Sequence, residues 1–482
     1  MDKSFAKNSL FNVGYKVLNV VFPLITSMYV SRVLGPDGTG RVAYAQNILS
    51  YFLVFASMGI PIYGIKEIAR NSSNRRKINK AFSELFILNF TTTTLGIVTY
   101  ITLVLTIPSF REDQSVFFAV GVSLFLNYLN IDWFYAGIEE YVYISIRSTI
   151  AKAFAIIIMF VFVRTRDDVV KYALISSVGL TANYILNIIN ARKRVALSFQ
   201  ELEFRRHLKP VGILLLTMLA TDLYNQIDIT MLGSKCSKAE IGYYSYAIKL
   251  VRIVTSIATA ISATMLPRLS QYFNNREKSE FERFTNRVLS AVILLVVPSS
   301  VGVAMCSNSI ILVLYGNEFK NTVPLICVLS PIILIISISY LCGSIVLTAI
   351  NKEKYLLYAT LAGACINITL NAILIPKYHG QGAAVASVIA EITVFALHYI
   401  FSKGNVNYCF ATIDNLKVII ATITMAGIII IIDFFNLKPA IVLVASICAG
   451  ALTYFFVLYI TRHELVLEGV KFLRKKFSGI AY

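Results

Sequence analysis

At 482 residues, with 57% hydrophobic and 15% charged side chains and a mean hydropathy of +0.71, the chain is too apolar for a soluble domain and belongs in a bilayer. Its formal net charge of +18 would suit nucleic acid, but the Lys and Arg residues concentrate in short loops between apolar runs, where positive-inside retention accounts for them, and no nucleic-acid partner is expected. The seven cysteines (Cys236, Cys306, Cys327, Cys342, Cys365, Cys409, Cys448) form no Cys-x-x-Cys and read as apolar packing residues, excluding a disulfide framework or metal site.

In chain order, apolar runs near the length that spans a hydrocarbon core, about 20 residues, fall at roughly 12–32, 43–65, 82–106, 116–136, 141–163, 169–190, 210–232, 243–266, 288–306, 323–349, 355–375, 383–401, 417–435 and 439–460. They predict an all-α polytopic membrane protein of about 14 transmembrane helices. The first run lacks a small-residue cleavage site and continues into Arg32, so it reads as a span and not as a signal peptide. Basic loops at 66–80 and 192–209, and a basic tail with Arg462, Lys471, Arg474, Lys475 and Lys476, alternate with near-neutral loops such as Arg111-Glu112-Asp113 and Arg164-Thr165-Arg166-Asp167-Asp168. Both termini are therefore expected in the cytoplasm, with an even number of spans between them. No connection is long enough for a folded extramembrane domain, which excludes most membrane enzymes with catalytic ectodomains.

The chain repeats itself. Leu34-Gly35-Pro36-Asp37-Gly38-Thr39-Gly40-Arg41 leads into Val42-Ala43-Tyr44-Ala45, and Leu232-Gly233 leads, after a short turn, into Gly242-Tyr243-Tyr244-Ser245-Tyr246-Ala247. Each is a helical hairpin opening a set of six spans, so 1–209 and 210–405 are expected to be parallel six-helix lobes related by an axis along the membrane normal. Residues 406–482 hold an extra helix pair at about 417–435 and 439–460 and the basic tail. Such duplication points to a transporter with its site between the halves. Pro23, Pro61, Pro267, Pro298, Pro324 and Pro331 lie in or beside spans; tolerated membrane proline is the plainer reading of each, a hinge the sharper one.

Ionisable groups at bilayer depth are expensive and so carry the functional expectations. Lys152 lies near mid-depth of the fifth span with Arg147 nearer the cytoplasm, Lys249 and Arg252 share a face of the eighth, and Arg32 and Arg41 flank the first outer turn. This cationic lining suits an anionic ligand, above all a phosphate or diphosphate; for Arg32, Arg41 and Arg147, snorkelling to the interface is the competing reading. Among the acids, Asp132, Asp222, Asp228, Glu391 and Asp433 either pair with the cations, the commoner outcome, or bind a coupling Na⁺ or H⁺. Tyr44, Asn47 and Tyr51 on the second span and Tyr243 and Tyr246 on the eighth present rings and amide groups suited to a sugar face or to an interfacial aromatic belt. No P-loop, Gly-x-Ser-x-Gly or His-Glu-x-x-His occurs, so the chain is not expected to be an enzyme, and no cofactor beyond a coupling ion is implied.

Four segments, in order, carry a resemblance: Arg32-Val33-Leu34-Gly35-Pro36-Asp37-Gly38-Thr39-Gly40, Ile227-Asp228-Ile229-Thr230-Met231-Leu232-Gly233, Leu314-Tyr315-Gly316-Asn317-Glu318-Phe319, and Asn371-Ala372-Ile373-Leu374-Ile375-Pro376-Lys377-Tyr378-His379-Gly380-Gln381-Gly382-Ala383-Ala384. Together they resemble Wzx-type polysaccharide flippases of the superfamily that also holds MATE drug antiporters and the lipid II flippase. The resemblance implies two six-helix lobes around a V-shaped central cavity. It further implies a substrate of undecaprenyl diphosphate bearing an oligosaccharide unit, moved from the cytoplasmic to the outer leaflet of a bacterial inner membrane by alternating access, for capsule, O-antigen or exopolysaccharide assembly. Lys152, Lys249 and Arg252 match the family's diphosphate-binding cations, and the helix pair at 417–460 matches the lipid II flippase's groove for the lipid tail. Membrane lipids and a polysaccharide polymerase are the partners implied. The rivals are a MATE-like exporter of cationic drugs, which calls for an acidic cavity, and a membrane glycosyltransferase or polymerase, which calls for a long outer loop with paired acids.

Overall fold

The computed structural model describes residues 3–71, 74–192 and 194–477, with side chains from residue 23 to residue 472. Among them every regular element is helical, as a backbone requires when it must satisfy its own polar groups in hydrocarbon. The chain divides into two compact units, Met1–Gly242 and Tyr243–Tyr482. The first holds α1 (Lys3–Ser57), α2 (Ile60–Asn71), α3 (Arg75–Thr106), α4 (Pro108–Arg111), α5 (Gln114–Leu126), α6 (Asp132–Gly137), α7 (Tyr141–Phe162), α8 (Val169–Thr181), α9 (Asn183–Ala191) and α10 (Arg205–Lys235). After α11 (Lys238–Ala263), which opens in the first unit, the second holds α12 (Leu266–Asn274), α13 (Lys278–Met305), α14 (Ser307–Leu314), α15 (Thr322–Leu329), α16 (Pro331–Tyr340), α17 (Lys354–Ser402), α18 (Ile413–Phe434), α19 (Pro439–Ile460) and α20 (Glu464–Phe477).

Among the described residues, ten helical stretches are long and apolar enough to cross a membrane, and two of them, Pro23–Asn71 and Lys354–Ser402, run for 49 residues across the junction of two predicted spans. Their breaks are single residues. In α1 the chain leaves helical geometry at Gly35 (φ 66°, ψ −177°), a conformation open to a residue without Cβ. Pro36 restarts the helix, where its missing N–H costs nothing, and Thr39 Oγ1 donates to the Gly35 carbonyl at 2.8 Å. In α17 the break is His379 (φ 50°); a Cβ on Gly382 would stand 2.5 Å from the Leu374 carbonyl oxygen, so the chain folds back tightly there.

The fourth predicted span, continuous from 116 to 136 by hydropathy, stops as an α-helix at Leu126 and passes through a 3₁₀ turn at Asn127–Leu129 into α6. Buried amides cause the break. Asn89 of α3 donates to the Asn127 carbonyl at 2.9 Å, and the Asn127 side chain donates to Thr93 Oγ1 at 2.9 Å, so side chains replace the helix's own bonds. The tenth span carries a second irregularity, a π-helical turn at Leu341–Leu347 that follows α16. There Gly343 lies under the buried His398 ring, where a Cβ would come within 2.3 Å of Nδ1.

The first unit's core at the basic-loop end joins Ile60 and Ile68 of α2, Phe82 and Leu85 of α3, Trp133, Phe134 and Tyr135 of α6, and Val211 of α10. Gly64 lets α2 approach α6, since a Cβ would meet the Trp133 ring at 2.6 Å. In the second unit α18 and α19 pair with each other, and α18 also packs on α13.

His463, in the turn between α19 and α20, is fully buried, and neither ring nitrogen has a hydrogen-bond partner among the described residues. Burial holds its pKa below the ordinary value, against the smaller opposing pull of Asp414. The unfolded chain therefore takes up the proton first, and native stability should be full above about pH 6.5 and fall as the pH drops below it. Melting in detergent over that range should show the loss for the parent and a flatter profile for His463→Leu.

Candidate functional site

Two polar stripes interlock in the first unit. Asn47 Nδ2 donates to the Gln226 carbonyl at 2.9 Å, Asn47 Oδ1 accepts from Thr230 Oγ1 at 2.7 Å, the Tyr51 hydroxyl meets the same Thr230 Oγ1 at 2.8 Å, and Ser50 donates to Asp222 Oδ2 at 2.8 Å. Residues three and four apart share a helix face, so the stripe of α1 and the stripe of α10 satisfy each other at bilayer depth. Tyr44, one turn earlier, is buried, edge-on to Phe110 and Phe117, with Lys238 Nζ 4.8 Å from its ring centre. Gly233 makes room for that ring: a Cβ would lie 2.0 Å from it. Asn47 and Tyr51, expected as sugar contacts, are thus joined through Thr230.

The two repeated glycines meet. A Cβ on Gly40 would fall 1.7 Å from the Lys238 carbonyl oxygen and 2.9 Å from the Gly242 nitrogen, and one on Gly242 would fall 2.3 Å from the Pro36 carbonyl oxygen. Beside this contact the buried carboxylate of Asp113 binds Arg41 Nε at 2.5 Å through one oxygen and Lys238 Nζ at 3.3 Å through the other. Arg41 was expected from its position; Asp113 was not, because a loop reading Arg-Glu-Asp looks near neutral and its partners lie far away in sequence.

Arg147 is buried in α7 and donates through Nη2 to Asp132 Oδ1 at 2.8 Å, while Asn187 donates to the same oxygen at 2.6 Å. Its guanidinium lies 5.2 Å from the Tyr143 ring centre. Lys152, further along α7, is half-buried, and Arg32 is exposed.

In the second unit Tyr246 is buried edge-on to Tyr315 at 4.5 Å and against Phe319 at 4.7 Å, with Tyr243 edge-on to Phe319 at 6.0 Å. Two of the four signature segments therefore pack together. Lys249 Nζ lies 5.9 Å from the Tyr246 ring centre; Arg252 is exposed, Glu391 half-buried and Asp433 exposed. An apolar groove of about 380 Å³ runs between α13 and the α18–α19 pair, lined by Leu294, Pro298, Met425, Ile429, Leu443 and Phe455. No group of three or more His, Cys, Asp or Glu side chains suited to a metal ion occurs among the described residues.

Residues 5–273 match the family described as polysaccharide biosynthesis protein, and residues 214–373 match the MatE family. A putative O-antigen transporter of Escherichia coli (strain K12) is 21% identical over 408 residues, 83% of this chain and 97% of that protein. The lipid II flippase MurJ of Bacillus subtilis (strain 168) is 22% identical, covering 92% of this chain and 94% of its own. Among solved structures, the lipid II flippase MurJ in an inward closed conformation superposes with a TM-score of 0.80 at 17% identity, covering 95% of this chain and 99% of that one. An inward-facing multidrug-resistance MATE transporter gives 0.64 at 13%, covering 80% of this chain and 93% of its own.

Proposed function

Because this chain belongs to the polysaccharide biosynthesis protein family, we propose that it is a flippase that carries lipid-linked oligosaccharide units across a membrane. It is a multi-pass transporter and not an enzyme: the relatives named above are a putative O-antigen transporter and a lipid II flippase. The observation that carries the substrate class is the apolar groove between α13 and the α18–α19 pair, which suits a long isoprenoid chain. A MATE-like exporter of free drugs has no use for it.

In this reading the substrate is undecaprenyl diphosphate bearing an oligosaccharide, moved from the cytoplasmic to the outer leaflet of a bacterial inner membrane by alternating access, with both termini cytoplasmic. Lys152, Lys249 and Arg252 bind the diphosphate, since basic groups at depth favour an anion. Outward movement of about two negative charges is favoured by roughly 5 kcal/mol per 100 mV. Asp132 is committed to Arg147 and Asn187, so coupling to Na⁺ or H⁺ falls to Asp222, Asp228 or Glu391. The product, delivered outside still lipid-linked, is the form a polymerase consumes.

Translocation of a fluorescent undecaprenyl-diphosphate oligosaccharide in proteoliposomes tests this. Lys152→Ala and Arg252→Ala should each lower the rate about tenfold or more, as expected for a lost charge-assisted contact of ~1.4 kcal/mol or above. Parent protein that moves no such lipid, or variants that move it at the parent rate, would overturn the assignment.

A further inference from the structure

A groove of about 670 Å³ opens between α7 and α9, apart from the polar seam and from the helix-pair groove. Its walls are apolar and face outward: Ile150 is 63% and Phe154 62% exposed, with Leu186 opposite. Its floor is polar. Arg147 lines it and is only 4% exposed, and although Nη2 holds Asp132, the Nε and Nη1 donors have no hydrogen-bond partner among the described residues. Asn183, also on the lining and 5% exposed, has an unpartnered Oδ1 acceptor. Donors and acceptors buried without partners are costly, and a guanidinium at bilayer depth is more so. A ligand that supplies both an anion and a hydroxyl relieves the two together.

Depth narrows the choice. Arg147 stands six residues past Tyr141, where α7 begins, a rise of about 9 Å, and α9 ends at Ala191 just before the basic stretch 192–209. The polar floor therefore lies at the level of lipid phosphate and glycerol groups on the basic-loop side, and the apolar walls continue toward the hydrocarbon. We propose that this groove is a binding site for an anionic phospholipid of the phosphatidylglycerol type. The phosphate accepts from Arg147 Nε and Nη1, a headgroup hydroxyl donates to Asn183 Oδ1, and an acyl chain lies along Ile150 and Phe154. Asp132 neutralises one edge of the guanidinium, so the phosphate is held by the two remaining donor edges as much as by net charge. A choline headgroup, which has no hydroxyl to donate, leaves Asn183 unmet.

The test is native mass spectrometry of the full chain in mild detergent, titrated with phosphatidylglycerol or phosphatidylcholine. The parent should retain one phosphatidylglycerol at concentrations where phosphatidylcholine is not retained. Ile150→Trp combined with Leu186→Trp, which fills the groove and leaves the Arg147–Asp132 pair intact, should weaken retention at least tenfold. Arg147→Gln combined with Asp132→Asn, which removes the pair without leaving a lone charge, should do the same. Equal retention of the two lipids, or unchanged retention in the groove-filled variant, would overturn the proposal. So would displacement by undecaprenyl phosphate at equal concentration, which would make the groove a station for the transported lipid, or by inorganic diphosphate alone.

Discussion

Gly40→Ala is expected to abolish transport and to leave little folded protein in the membrane. The added methyl would stand 1.7 Å from the Lys238 carbonyl oxygen, and the obstacle is backbone at the head of α11, which no rotamer change can move aside. Helices that approach this closely do so because small residues line the contact, and overpacking a tight site costs about 1–3 kcal/mol, more when the neighbour is fixed. Separating the two backbones would also strain the bonds of Asp113 to Arg41 and Lys238. Size-exclusion profiles after heating in detergent, with transport per folded molecule, measure both parts. Gly242→Ala, facing the Pro36 carbonyl at 2.3 Å, should fail in the same way, whereas Gly427→Ala, with nothing within 4 Å of its added methyl, should be neutral. A Gly40→Ala protein with parent-like melting would mean that the contact yields easily.

Glu84→Ala should be the most destabilising charge removal in the first unit. The Glu84 carboxylate is fully buried near the start of α3 and takes a bond from Arg206 Nη2 at 2.6 Å, from the Glu203 backbone N–H at 2.6 Å, and pairs with His207 Nε2 at 2.8 Å. Tyr63 closes the chain on His207 Nδ1 at 2.9 Å. Just upstream, the Ser198 N–H donates to Ser83 Oγ at 2.8 Å and the Ala196 N–H to Asn79 Oδ1 at 3.2 Å, so one face of α3 ties down the whole segment leading into α10. Deleting one member of a buried, hydrogen-bonded charge cluster costs about 3–5 kcal/mol. Glu84→Gln, which keeps an acceptor, should cost less than half of that. Equal melting temperatures for Glu84→Ala and the parent would refute the account.

The sequence made the spans legible because apolarity over about 20 residues is a local property, and it made the hairpin glycines legible because they recur at matched positions. Partner identity was not local. Asp113 meets Arg41 across 72 residues of chain, and Glu84 meets His207 across 123. Glu84 also sat inconspicuously inside an apolar run. Asn47 and Tyr51 were legible as a polar face, but a helical face looks the same whether it will meet a sugar or another helix. Only the register of α1 against α10 shows that Thr230 and Gln226 take those groups. Asn127 hid a helix end for a related reason, since hydropathy averages over one buried amide and cannot see that Asn89 will bond its carbonyl.

The π-helical turn at Leu341–Leu347 makes chain length itself part of the code. A turn of this kind holds one residue more than an α-helical turn, so deleting any single residue within it would restore the regular ladder and rotate everything after Thr348 by about 100° around the helix axis. Gly343 would then no longer be held beneath His398. Point changes within these seven positions alter a surface; loss of one position alters the phase of all that follows, and the segment should accept substitutions far more readily than a shortened count.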